Sequence, residues 1–135
     1  MSESRVSYRT PLSRARGYGS AHNGVGRFIS ERVTGIALVP LCLWAIWAAL
    51  RVGPLGYPGA VAFLQSPFNA VMAVLLIAVS CRHMQMGMQV IVEDYIHNPN
   101  NKIVCLLING AVCWLAMALG VISVLKVALL GVGAH

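Results

Sequence analysis

Three apolar runs, Val33–Val52, Phe68–Val92 and Ile103–Leu125, alternate with short polar stretches along the chain. Each has the roughly 20 residues that a helix rising 1.5 Å per residue needs to cross a hydrocarbon core of ~30 Å. Inside hydrocarbon the backbone amides must be satisfied within their own segment, so each run is read as a helix. The pattern predicts an all-α membrane protein with three transmembrane helices, at about 27–52, 68–96 and 103–131. A basic N-terminal arm, 1–23, precedes this transmembrane domain, 24–135.

The breaks are set by polar and turn-forming residues. Gly53–Pro67 holds Pro54, Pro58 and Pro67 with Gly53, Gly56 and Gly59, and reads as a turn-rich loop whose Ala60–Leu64 stretch rests on the membrane interface. Asn98-Pro99-Asn100-Asn101 ends the second helix, and Ile103 starts the third. Either Asn23 or Ser30 caps the first helix; the pattern does not decide between them. Pro40, within the first span, removes a backbone donor and predicts a kink.

Composition agrees with a lipid-solvated chain. Of the 135 residues, 58% are hydrophobic and 10% charged, against about 25% charged in a soluble domain. The net charge of +6 does not point to nucleic acid, because six of the ten basic residues (Arg5, Arg9, Arg14, Arg16, Arg27 and Arg32) precede the first span. The loop after that span has no charge, and the next turn carries Lys102. The positive-inside rule therefore predicts a cytoplasmic N-terminus, suited to anionic lipid or a soluble partner, and a periplasmic C-terminus. Arg51 and Lys126 are the exceptions, each at an outer helix end where a long side chain snorkels. About 32 mostly polar residues before the first apolar run do not read as a signal peptide. Cys42, Cys81, Cys105 and Cys113 all fall in predicted spans without a Cys-x-x-Cys pair, so they read as packing residues and hold no iron–sulfur cluster by themselves.

The second span carries the candidate chemistry, in His83–Tyr95 (HMQMGMQVIVEDY). An ionisable residue at membrane depth is costly and marks a functional site by default. His83 lies ~22 Å from the outer end of its helix and ~18 Å from the inner end. Its imidazole suits haem iron, with Gly87 one turn on leaving room for a flat macrocycle; a histidine hydrogen-bonded between helices reads equally well. Arg82 needs a counter-charge at this depth: a haem propionate, a carboxylate of another subunit, or a water-filled crevice. Asp94, eleven residues on, returns to the face of His83, ~16 Å along the axis. Tyr95 suits either a hydrogen bond to a quinone carbonyl or an ordinary interfacial position. The His83–His97 spacing is that of two-haem cytochromes b, but no second span supplies a matching pair, so His97 is placed in the interfacial turn.

The pattern His83-x3-Gly87-x-Gln89-Val90-x3-Asp94-Tyr95 resembles the second transmembrane helix of the succinate dehydrogenase (respiratory complex II) hydrophobic membrane anchor, the D subunit. Gly24–Ile36 (GVGRFISERVTGI) is similar to that family's approach to its first helix. The resemblance implies a subunit of succinate:quinone oxidoreductase that passes electrons from soluble flavoprotein and iron–sulfur subunits to quinone. It implies that His83 is one axial ligand of haem b, shared with a cytochrome b556-type C subunit. It further implies that Tyr95 binds a ubiquinone carbonyl with Asp94 beside it, and that Arg32 lies near the haem propionates and the quinone pocket. Arg82 has no counterpart in the resemblance and stays a cofactor-side candidate on its charge alone. The acidic Glu3 and the lack of a transit-like leader favour a bacterial inner membrane over a mitochondrial one. A different class of function, a small transporter or channel subunit with His83, Arg82 and Asp94 lining a proton or substrate path, is the alternative.

Overall fold

The computed structural model describes residues 22–131 together with Leu12. Helix α1 spans His22–Val52, a 3-10 turn Gly53–Leu55 follows, and then come α2 (Gly56–Gln65), α3 (Pro67–Tyr95) and α4 (Pro99–Leu130). There is no strand among the described residues. The three long helices match the three predicted spans, and each is long and apolar enough to cross a membrane. Apart from Leu12, His22 and Asn23, the arm lies outside the described residues. Contacts divide the chain between Ser30 and Glu31, and the packing described below is that of residues 31–131.

Three boundaries differ from the sequence expectation. The loop after the first span is largely helical, because α2 occupies ten of its residues. Pro58 is tolerated because it is the third residue of α2, within the first turn, where backbone N–H groups have no intrahelical acceptor. Pro99 likewise stands at the first position of α4, so that helix begins four residues before Ile103. Asn98 caps it, accepting a hydrogen bond from the Asn100 amide at 3.1 Å. Finally, α1 starts at His22, which puts both Asn23 and Ser30 within the helix rather than at its cap. Pro40 also lies within α1, where its missing N–H leaves the Ile36 carbonyl without a helical donor.

Helices α3 and α4 form an antiparallel pair. Lys102 Nζ donates to the Glu93 carbonyl at 2.8 Å near the turn, and Asn109 Nδ2 donates to the Gln85 carbonyl at 3.0 Å further along. Deeper still, Gly120 faces Ile77 so closely that a Cβ there would lie 2.9 Å from Ile77 Cγ2. A small residue at this crossing lets the two backbones approach, which is how helices gain contact where lipid gives no hydrophobic drive. Met86 and Cys113, each 3% exposed, are the most buried side chains among the described residues. Helix α2 packs against both α3 and α4, with Asn69 Nδ2 donating to the Phe63 carbonyl at 3.0 Å. Only 6–11% of each span is buried within the chain, so the remaining apolar faces require lipid or other polypeptides.

Candidate functional site

His83 is a half-buried residue of α3 held against α1. Its Nδ1 lies 3.0 Å from Thr34 Oγ1. The Thr34 hydroxyl directs its own proton to the Glu31 carbonyl, one turn back on α1, at 3.1 Å. The hydroxyl has a single proton: when it goes to the Glu31 carbonyl, the threonine oxygen accepts from Nδ1–H. In that arrangement His83 is the Nδ1–H tautomer, with the lone pair on Nε2. That is the form in which histidine binds a metal, its far nitrogen oriented by a hydrogen bond.

The next residue of α1, Gly35, completes this contact: a Cβ there would meet His83 Cε1 at 3.5 Å. His83, Gly35, Ile36, Glu31 and Arg32 line a cleft of about 310 Å³ between α1 and α3. Arg32 and His83, assigned to one site from sequence, are thus brought together. Gly87 has open space where a side chain would stand. Among the described residues no three histidine, cysteine or acidic side chains converge on a metal-sized site.

Tyr95 is the last residue of α3 and is 79% exposed. With His97, Asn98, Asn101, Val104 and Cys105 it lines a cavity of about 480 Å³ at the α3–α4 turn. Asp94 is exposed beside it and lines neither this cavity nor the His83 cleft. The twelve-residue step from His83 to Tyr95 is continuous helix, which keeps the two sites ~18 Å apart along the axis. Arg82 does not join either site. Its Nη1 donates to Gln85 Oε1 at 3.0 Å, and it borders the α3–α4 groove with Cys81, Cys113 and Trp114.

A family model described as succinate dehydrogenase/fumarate reductase transmembrane subunit matches residues 6–128. The chain belongs to that family. Among curated relatives, a succinate dehydrogenase hydrophobic membrane anchor subunit of Rickettsia conorii is 30% identical over 100 residues, covering 72% of this chain and 79% of the relative. The corresponding subunit of Paracoccus denitrificans is 31% identical over 96 residues, covering 70% and 74%. That of Rickettsia bellii is 30% identical over 89 residues, covering 66% and 71%. No solved structure matches.

For a member of the succinate dehydrogenase/fumarate reductase transmembrane family, the residues missed by sequence reading are Thr34 and Gly35. Both lie inside the stretch GVGRFISERVTGI that carried the resemblance, without a role there. A signal was present: a histidine at mid-span must satisfy its N–H, and Thr34 is one of the few hydroxyl residues in the facing spans.

Proposed function

We propose that this chain is a membrane anchor subunit of a succinate:quinone oxidoreductase in a bacterial inner membrane, that it contributes one axial ligand to haem b, and that it forms part of the ubiquinone-reduction site. The observation that carries the reading is His83 Nδ1 held 3.0 Å from Thr34 Oγ1, which leaves Nε2 as the nitrogen for a metal, on the helix that bears the family pattern. The residues present fit a haem in three respects. One histidine suits a group whose other axial ligand comes from a partner C subunit. Arg32 lines the same cleft as a cation for propionates. The backbone at Gly87 is unobstructed.

Haem, when bound, supplies a one-electron carrier between the iron–sulfur subunit and quinone. Thr34 fixes the ring of His83, and Arg32 binds carboxylate. At the cytoplasmic end the Tyr95 phenol donates a hydrogen bond to a quinone carbonyl. Reduction of a quinone takes up two electrons and two protons, and Asp94 and His97, both exposed at that end, relay protons from the aqueous phase. The positive-inside rule puts the basic N-terminal sequence on the same side, where soluble flavoprotein and iron–sulfur subunits would deliver electrons.

The test is a dithionite-reduced minus oxidised optical spectrum of the purified complex, wild type beside His83→Ala. A b-type band in wild type that is lost or shifted in the variant supports the assignment. A wild-type complex without haem, or a band indifferent to the substitution, refutes it.

A further inference from the structure

Arg82 lies 15 residues after Pro67 and 13 before Tyr95 in α3, ~22 Å and ~20 Å from the two ends. That is too deep for its guanidinium to reach lipid phosphates, yet the residue is exposed. Its one hydrogen bond among the described residues goes to a neutral amide, Gln85, which leaves the charge and most of five N–H donors unmet. The acids of the described chain lie elsewhere. Glu31 borders the His83 cleft, while Glu93 and Asp94 are ~16–18 Å further along α3. The groove beneath Arg82 holds about 10 Å³, room for one water at most, so neither a water-filled crevice nor a small ligand solvates the cation from within. What meets it must lie on the groove. Beside Arg82 and Gln85 the lining is apolar, with Cys81, Cys113, Trp114 and Met117, and Trp114 is 60% exposed.

We infer that the α3–α4 groove around Arg82 docks a transmembrane helix of a partner subunit that carries an aspartate or glutamate at the same depth. This rests on the chain being one subunit of a membrane complex, and it separates the two neighbouring residues of α3: His83 with Arg32 serves the cofactor cleft, and Arg82 pairs with protein. An apolar rim around a single buried charge pair gives both affinity and register, because a shift of the partner helix by one turn leaves both charges unpaired in hydrocarbon.

The experiment uses the whole complex in native membranes. In an Arg82→Lys variant the lipid-soluble reagent dicyclohexylcarbodiimide joins the new amine to an adjacent carboxylate as an amide, located by mass spectrometry. The expected product links this segment to an aspartate or glutamate of another subunit. Arg82→Leu then lowers the amount of that subunit retained in mild detergent by about tenfold, and Arg82→Asp combined with that acid changed to arginine restores it. A link only to Glu31, Glu93 or Asp94 of the same chain overturns the inference, as does full retention in Arg82→Leu. So does a changed haem band in Arg82→Leu with retention intact, which assigns Arg82 to the cofactor. Wild-type chain purifying without partners is a distinct result that defeats the proposed function itself.

Discussion

Replacing Thr34 by valine removes the one oxygen that accepts from His83 Nδ1 and keeps the size and branching of the side chain. The Glu31 carbonyl loses the threonine proton but keeps its helical donor, so the cost falls on the imidazole. Stranding a buried N–H costs about 1–3 kcal/mol. His83 is half-buried, which favours the lower part of that range, and about 1.4 kcal/mol is a tenfold change in affinity. Loss of an orienting partner behind a metal-bound histidine costs a similar 10–100-fold. Thr34→Val should therefore weaken haem retention about tenfold and raise the haem midpoint potential, because a ligand that no longer donates its N–H is less basic towards ferric iron. Haem content per purified complex and a redox titration read both effects. Thr34→Ser, which keeps the hydroxyl, should resemble wild type. Wild-type retention and potential in Thr34→Val would refute the assignment of Nε2 as the ligating atom.

Other substitutions probe separate parts of the molecule. Gly35→Ala should leave the haem spectrum unchanged, since its Cβ meets His83 at an ordinary 3.5 Å, whereas Gly35→Leu should displace the imidazole and diminish the band; equal spectra would contradict the close α1–α3 contact. Tyr95→Phe should impair quinone reduction while sparing succinate oxidation by an artificial acceptor, and equal loss in both assays would count against a quinone role. Gly120→Val should lower the thermal midpoint of the complex through about 1–3 kcal/mol of overpacking, given the 2.9 Å approach to Ile77. Adding Ile77→Ala should recover much of that loss, and no recovery would mean that α3 and α4 do not meet there.

Much of the architecture was legible in the chain. The three spans follow from summed transfer free energies, which depend on composition and length alone, and hydrocarbon then leaves the backbone no choice but helix. The depth of His83 and its shared face with Asp94 follow from the rise and twist of one continuous helix. Local chemistry was legible only in part. Pro58 and Pro99 were read as breakers although each stands in the first turn of a helix, because proline signals a boundary without saying on which side of it the helix lies.

Sequence by itself determined a three-span membrane chain with a histidine at mid-depth and a polar exit at Asp94–Tyr95. Only the tertiary structure decided what those groups face. The partner of His83 Nδ1 is Thr34, 49 positions away in the chain, and the register of α4 on α3 depends on Gly120, Asn109 and Lys102 each finding its counterpart. Arg82 and His83 are adjacent in sequence yet belong to different grooves, since one step of a helix turns the side chain by 100°. Such pairings are set by packing between helices, and neither hydropathy nor periodicity along a single helix contains them.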